Sequence, residues 1–304
     1  MVNIECKCGK TAVYFRANEG SHYCGSCLSG QVERNFLKEI SRNPLTKDDV
    51  VAVGVSGGKD SMVLLHLMDK LAKKTRTRLI AITIDEGIEG YRDKSIDAVK
   101  VFVEKLGIGH RIVSFKNELD FSIDDMGKKT FLERHPSGKT CTYCGVFRRK
   151  LLNKAAREAG ATRLAVGHNL DDEAQSVLMN VVRGDTVRMK RLGGQKGKEG
   201  LIPRIKPLKN VPEKEIVAYA IINNIPYFDG ECPNSFNNVR RDVQTVVNDL
   251  EAKYPGTKNQ IVKFYGKIRI EDKPGVIGRC VKCGEPSSKD VCRACELLEK
   301  AKNL

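Results

Sequence analysis

Asp49-Val50-Val51-Ala52-Val53-Gly54-Val55-Ser56-Gly57-Gly58-Lys59-Asp60-Ser61 decides how this chain is read. Its first half is apolar and β-branched, the composition of a strand buried on both faces of a parallel sheet. Its second half is a tight glycine turn. Met62-Val63-Leu64-Leu65-His66-Leu67-Met68 then continues as a helix packed on that sheet. Free N–H groups and the helix dipole at such a junction favour an anion, and Lys59 adds a point charge. The GxxxxGK[ST] pattern of a Walker A loop is absent.

Outward from this stretch, strands and helices alternate. Strands are predicted over 50–55, 78–85, 111–115 and 162–167, and helices over 58–73, 92–106, 145–159 and 171–182. The pattern is an α/β parallel sheet with helices on both faces, with ligands expected beyond the strand C-termini. Val32, Phe36, Leu37 and Ile40 have helical spacing and make 31–42 a linking helix. Further helices are read after Pro212, over 239–254 and 258–267, and at 296–300. Residues 225–228 read as a final short strand.

Loops at the strand ends carry the candidate contacts. Backbone groups near Thr83 and Asp85 are placed to hold an adenine edge. Gly167-His168-Asn169-Leu170-Asp171-Asp172 follows the fourth strand. Carboxylates in a helix's first turn are stable there, so Asp171 and Asp172 read either as caps or as Mg²⁺ ligands between phosphates. His168 is a candidate contact to substrate or phosphate. Residues 116–140, with Asp120, Asp124 and Asp125, read as a mobile segment over the site. Between 183 and 210 lie Arg183, Arg188, Lys190, Arg191, Lys196, Lys198, Arg204, Lys206 and Lys209. Such a tract can follow an RNA backbone without reading bases.

The 304 residues carry 53 Lys+Arg against 38 Asp+Glu, a formal charge of +15. A polyanionic partner follows, and tRNA fits better than an acidic protein. No long apolar run suggests a membrane span. The N-terminus carries a cysteine pair rather than a signal-peptide core, which points to the cytoplasm.

Eleven cysteines in such a chain suggest metal or thiol chemistry rather than disulfide staples. Cys6, Cys8, Cys24 and Cys27 form one set, with His22 near enough to replace a member. Cys280, Cys283, Cys292 and Cys295 form another. Each set suits tetrahedral Zn²⁺. Four segments follow: an N-terminal zinc module over 1–30, a linker helix over 31–47, a catalytic domain over 48–268 and a C-terminal zinc module over 269–304. Cys141, Cys144 and Cys232 remain, all after elements that end near the nucleotide pocket. Arg148, Arg149 and Lys150 follow the first two and suit a bound polyanion or a lowered thiol pKa. Three thiolates can hold three irons of a cubane and leave the fourth open. Cys144 and Cys232 can instead act as a persulfide and resolving pair, or the three can hold a zinc with an external ligand.

Ser56-Gly57-Gly58-Lys59-Asp60-Ser61 resembles the SGGxDS pyrophosphate (PP) loop of the ATP-pyrophosphatases. With Thr83-Ile84-Asp85-Glu86-Gly87-Ile88, Cys141-Thr142-Tyr143-Cys144-Gly145-Val146, Gly167-His168-Asn169 with Asp171-Asp172, and both terminal cysteine sets, the chain resembles the cytoplasmic tRNA 2-thiolation proteins, the Ncs6/Ctu1 branch of the TtcA/TtuA superfamily. The resemblance implies an adenine nucleotide alpha hydrolase-like fold. It implies ATP over Val55, Ser56, Gly57, Gly58, Lys59, Asp60 and Ser61, with Thr83, Asp85, Gly167, His168 and Asp172 alongside. It implies Mg²⁺, two Zn²⁺ and a [4Fe-4S] cluster on Cys141, Cys144 and Cys232. Lys59, Asp60 and Asp171 would join the three cysteines in catalysis. The expected reaction is 2-thiolation of uridine 34, with position 54 in the T-loop or another PP-loop adenylation of tRNA as the alternative. A ubiquitin-like sulfur carrier or free sulfide is the expected donor, and a homodimer the expected assembly.

Overall fold

A computed structural model describes residues 4–127, 140–192, 200–234, 239–269 and 277–302. A five-stranded parallel sheet forms the centre, in the order β5-β4-β3-β6-β7. The strands are β3 (Val50–Gly54), β4 (Arg78–Asp85), β5 (Gly109–Ser114), β6 (Arg163–Ala165) and β7 (Arg204–Ile205). Val51 to Val53 of β3 pair with β4 on one side and β6 on the other, which buries them completely. The chain leaves β3 first towards β4 and β5, then returns to β6 and β7. The strand order therefore switches direction between β3 and β6, where ligands bind in open α/β sheets.

Helix α1 (Gly25–Ile40), α2 (Lys59–Thr75), α3 (Arg92–Leu106) and α9 (Glu213–Ile222) cover one face. Met62, Val63, Leu64, Leu65, Leu67 and Met68 of α2 are all buried, because α2 lies between the sheet and α1 and α9. Helices α4 (Phe115–Leu119), α5 (Ile123–Gly127) and α6 (Thr140–Glu158) cover the other face, with Phe147 packed edge-on against Phe115 and Phe121. Helix α7 (Leu170–Val182) leads into α8 (Thr186–Arg191). Helices α10 (Val239–Lys253) and α11 (Thr257–Tyr265) pack on α7 outside the sheet.

The terminal modules are each tied to this core. Hairpin β1 (Tyr14–Arg16) and β2 (Ser21–Tyr23) leads into α1. Arg16 donates to both carboxylate oxygens of buried Glu215 in α9, at 2.8 and 2.6 Å. Strands β8 (Gly278–Arg279) and β9 (Pro286–Ser287) precede α12 (Arg293–Lys302), whose Ala294 and Leu297 bury against α6. Arg157 of α6 grips Glu285 with two nitrogens.

Several sequence expectations change. Residues 225–228 form no strand; Pro226 has no N–H to offer a ladder, and Phe228 instead donates to Gly57 of the turn at 2.9 Å. The fifth strand is β7, inside the basic tract, where two residues give no readable alternation. The linking helix starts at Gly25, within the N-terminal cysteine set, and its buried row is Leu28, Val32, Phe36 and Ile40, leaving Leu37 exposed. Helix α6 starts at Thr140, so Cys141 and Cys144 sit on it rather than before it. The segment expected over 116–140 begins with α4 and α5, and its remainder, 128–139, lies outside the described residues. So do 193–199 of the basic tract, with Lys196 and Lys198.

Candidate active site

The turn after β3 needs its glycines. Gly57 has φ +87°, and a methyl carbon there would meet the Ser95 carbonyl oxygen at 2.4 Å. Ser61 Oγ accepts from the Ser56 N–H at 3.0 Å and donates to the Gly58 carbonyl at 2.9 Å. The loop thus holds its own shape and leaves the start of α2 facing the cleft. Gly167 lets the loop after β6 approach, since a side chain there would press on Asp60 and Ser61 backbone at 3.1 Å.

Lys59 Nζ lies 2.6 Å from Glu213 and 3.4 Å from Asp60. Burial opposes its charge, but Asp60 and Glu213 outweigh it and hold the pKa above the ordinary lysine value. Asn169 Nδ2 donates to Asp60 Oδ1 at 2.9 Å. Burial pushes the Asp60 carboxyl up, against Lys59 and Asn169. Asp60 is therefore a strained carboxylate that a divalent cation would relieve.

Asp171 does not fit the Mg²⁺ role read from the sequence. It is buried, its Oδ1 pairs with Lys258 of α11, and its Oδ2 accepts from the Glu213 N–H at 2.8 Å. It fastens α9 and α11 to α7. Asp172 is the N3 partner of Asn169 in a capping box and pairs with Arg240 at 2.9 Å. Val55 and Thr83 support the loop from beneath. Val55 is buried, and its carbonyl accepts from the fully buried Thr83 hydroxyl at 2.9 Å. Asp85 closes a turn by accepting from the Gly87 N–H at 2.9 Å, while the Ile84 carbonyl is taken by Arg92 at 2.9 Å.

Two routes join this loop to the central cysteines. In the first, buried Arg92 donates to the Ser56 carbonyl at 2.9 Å and pairs with Glu86 at 2.8 Å. Glu86 in turn lies 3.8 Å from Arg148, one turn along α6 from Cys144. In the second, Phe228, tied to Gly57, stacks edge-on against Tyr91 at 5.5 Å, and Cys232 follows four residues later, close enough to act electrostatically on Tyr91. Cys141 Sγ lies 3.5 Å from the Asn234 carbonyl. Burial pushes the Cys144 thiol up to about 12, with Glu86, Cys232 and Cys141 adding and Arg148 opposing. Burial also raises Cys232, with Cys141 adding. The three thiols therefore lie near enough to act on one another through space. Glu86 and Arg92 are both buried beneath the loop; nothing in composition marks a charge as buried.

The two terminal sets each close completely. Within each of Cys6/Cys8/Cys24/Cys27 and Cys280/Cys283/Cys292/Cys295, all sulfurs lie within 4.8 Å of one another. Zn–S bonds of about 2.3 Å put tetrahedral sulfurs about 3.8 Å apart, and Cys8–Cys24 at 3.5 Å and Cys283–Cys292 at 3.8 Å match that. His22 stacks on Phe15 at 4.6 Å and stays outside the first set. Cys141, Cys144 and Cys232 do not close to 4.8 Å as a set.

Cations line the cleft beside the thiols. Neither Arg149 nor Arg204 has a carboxylate partner among the described residues; Arg204 donates to the Arg149 carbonyl at 3.3 Å. Burial, then Arg204 and Arg148, push Arg149 down to about 10. His168 is solvent-exposed, with Lys206, Arg240, Arg148 and Arg204 around it, and partial desolvation and these cations push its pKa below the ordinary histidine value. This concentration of cations suits an anionic substrate. No helix among the described residues is long and apolar enough to cross a membrane.

Comparison with known proteins gives the same reading. The sequence profile of the PP-loop domain matches residues 28–249. A tRNA 2-thiolation protein NcsA of Haloferax volcanii is 38% identical over 328 residues, covering 97% of this chain and 98% of that one. Cytoplasmic tRNA 2-thiolation protein 1 of Drosophila yakuba is 38% identical over 305 residues, covering 97% and 88%. A solved structure described as the U34-tRNA thiolase NcsA of Methanococcus maripaludis with its [4Fe-4S] cluster superposes with a TM-score of 0.85 at 36% identity, covering 100% of this chain and 97% of that one. The chain belongs to the PP-loop ATP-binding family, in its tRNA 2-thiolation branch.

Proposed function

We propose that this protein is an ATP-dependent tRNA uridine 2-sulfurtransferase acting at wobble uridine 34 in the cytoplasm. The observation that carries this is the Ser56–Arg92–Glu86–Arg148 connection, which ties the glycine loop after β3 to the helix that bears Cys141 and Cys144. The names of the relatives support the reaction and its location, and the Methanococcus structure supports the position.

ATP phosphates lie over residues 56–61, where backbone N–H groups and Lys59 offset their charge. Asp60 would hold Mg²⁺, which supplies charge neutralisation between phosphates. The target base leaves its stack to enter the cleft. Its O2 attacks the α phosphorus and pyrophosphate leaves, so C2 carries an adenylate. A sulfur nucleophile at the cysteine pocket then attacks C2, the C2–O bond breaks, and AMP leaves with the former uracil oxygen. Activation matters because an amide-like oxygen is a poor leaving group and AMP a good one. Cys141, Cys144 and Cys232 would hold a [4Fe-4S] cluster, which supplies an iron without a protein ligand where sulfur can bind. The terminal tetrads would hold two Zn²⁺ and frame a catalytic domain over 48–268. A homodimer taking sulfide or a carrier thiocarboxylate completes the proposal.

Anaerobic incubation with tRNA, ATP and sulfide, followed by nuclease mapping and nucleoside mass analysis, tests it. The expected product is 2-thiouridine at position 34 with one AMP per sulfur. Sulfur at position 54, or none, overturns it.

A further inference from the structure

On the far side of β7 from β6 lies a groove of about 1270 Å³, bounded by the end of α1, by α7 and by α11. Eight cations line it, against two carboxylates, Glu39 and Glu173. Both carboxylates are already neutralised: Glu173 by Lys206 at 2.7 Å, and Glu39 by Lys209 at 2.6 Å and Arg42 at 2.9 Å. Arg204, Lys263 and Arg269 then have no carboxylate partner among the described residues, and Arg163 interacts with Asp49 only through space. Lys263 and Arg269 are exposed, on and just after α11. Both groove carboxylates are thus occupied, and the remaining positive charge makes the groove a favourable place for an external anion.

Arg204 belongs to both this groove and the cleft, since its guanidinium reaches the Arg149 carbonyl on the helix that carries Cys144. Lys206 likewise acts on His168 in the cleft. The groove thus continues the cleft outward. The edge of β7 is a poor template for a peptide strand: it is two residues long and is flanked by Pro203 and Pro207. Prolines on an edge remove the donors that strand addition needs.

We infer that this groove holds the phosphodiester backbone of the tRNA flanking the target uridine. The inference rests on the tRNA-thiolation reading. It extends the nucleic-acid surface beyond the basic tract to Arg163, Lys263 and Arg269, on elements distant in sequence. The contacts are to phosphate and carry no base readout.

The test uses the full-length protein with Lys263→Glu and Arg269→Glu together, and a charge-matched control, Lys74→Glu with Lys105→Glu, outside the groove. Binding of tRNA is titrated across a salt series, with ATP affinity as the check on folding. Each lost phosphate contact lowers the slope of log K against log salt by about 0.7–0.9, so the groove variant should lose about 1.4–1.8 in slope and roughly tenfold or more in affinity. Its ATP affinity stays unchanged, and the control keeps most of the slope. A groove variant that matches the control in both slope and affinity overturns the inference, while thiolation by the wild type leaves the parent reading standing. Loss of an acidic protein partner with tRNA binding intact overturns it in favour of a protein-docking face. Wild-type protein that binds and thiolates no tRNA removes the parent reading instead.

Discussion

Replacing Gly57 by alanine tests the loop at its tightest point. The added methyl carbon would sit 2.4 Å from the Ser95 carbonyl oxygen and 3.0 Å from its carbon. Both belong to the backbone of α3, so no side chain can swing away. The φ of +87° adds strain of roughly 1–2 kcal/mol for an L-residue. Forcing α3 off the loop adds about 1–3 kcal/mol, the usual scale for overpacking. A stiffer unfolded chain returns about 0.4–1 kcal/mol. The net loss is about 1–5 kcal/mol. Ser95 also accepts from Arg92, which grips Ser56 and Glu86, so ATP affinity should fall with stability. Gly58 is the internal control: its φ is −74°, and the nearest atom to an added carbon is Ser56 Oγ at 3.8 Å. Urea unfolding and ATP titration of both variants decide the matter. Gly57→Ala with wild-type midpoint and wild-type ATP affinity would refute the reasoning.

Three further outcomes follow from the structure. Arg16→Ala leaves buried Glu215 without its partner and should cost about 3–5 kcal/mol in urea unfolding; a double Arg16→Met/Glu215→Leu variant should recover most of that, and equal losses in both would contradict the ion-pair account. Stripping metal from the terminal tetrads should expose Ala294 and Leu297 at the α6–α12 contact and raise amide exchange over 277–302, whereas unchanged protection would show that the module holds without metal. Burial, then Lys70, holds His66 below the ordinary histidine value of 6.5. The unfolded chain therefore binds a proton more readily, and stability contributed by neutral His66 is present above about 6.5 and lost as pH falls below it. His66→Gln should flatten that part of the acid limb in thermal melts; an unaltered limb would discount His66.

Much of the fold was legible because its signals are local. The Val50-to-Val55 run, the glycine turn and the α2 stripe each declare themselves within a few residues, and paired cysteines mark both tetrads. Strand β7 was not legible, since two residues in a basic tract carry no periodicity and pair only because β6 presents a free edge. The site divides the same way. Lys59, Asp60 and the three central cysteines stand out by type and spacing. Glu86 and Arg92 do not, because their importance lies in being buried together beneath the loop, which is a property of packing. Asp171 misled for the same reason: a carboxylate at a helix start looks available until Lys258, 87 residues on, is seen to close on it.

The central claim is that one cleft both activates the base and delivers sulfur to it. Single-turnover reactions of wild-type and Cys144→Ala protein with ATP, tRNA and sulfide under anaerobic conditions measure pyrophosphate release and 2-thiouridine side by side. The account predicts that Cys144→Ala still releases pyrophosphate in a tRNA-dependent manner and forms no 2-thiouridine. Formation of 2-thiouridine by that variant at the wild-type rate would contradict it.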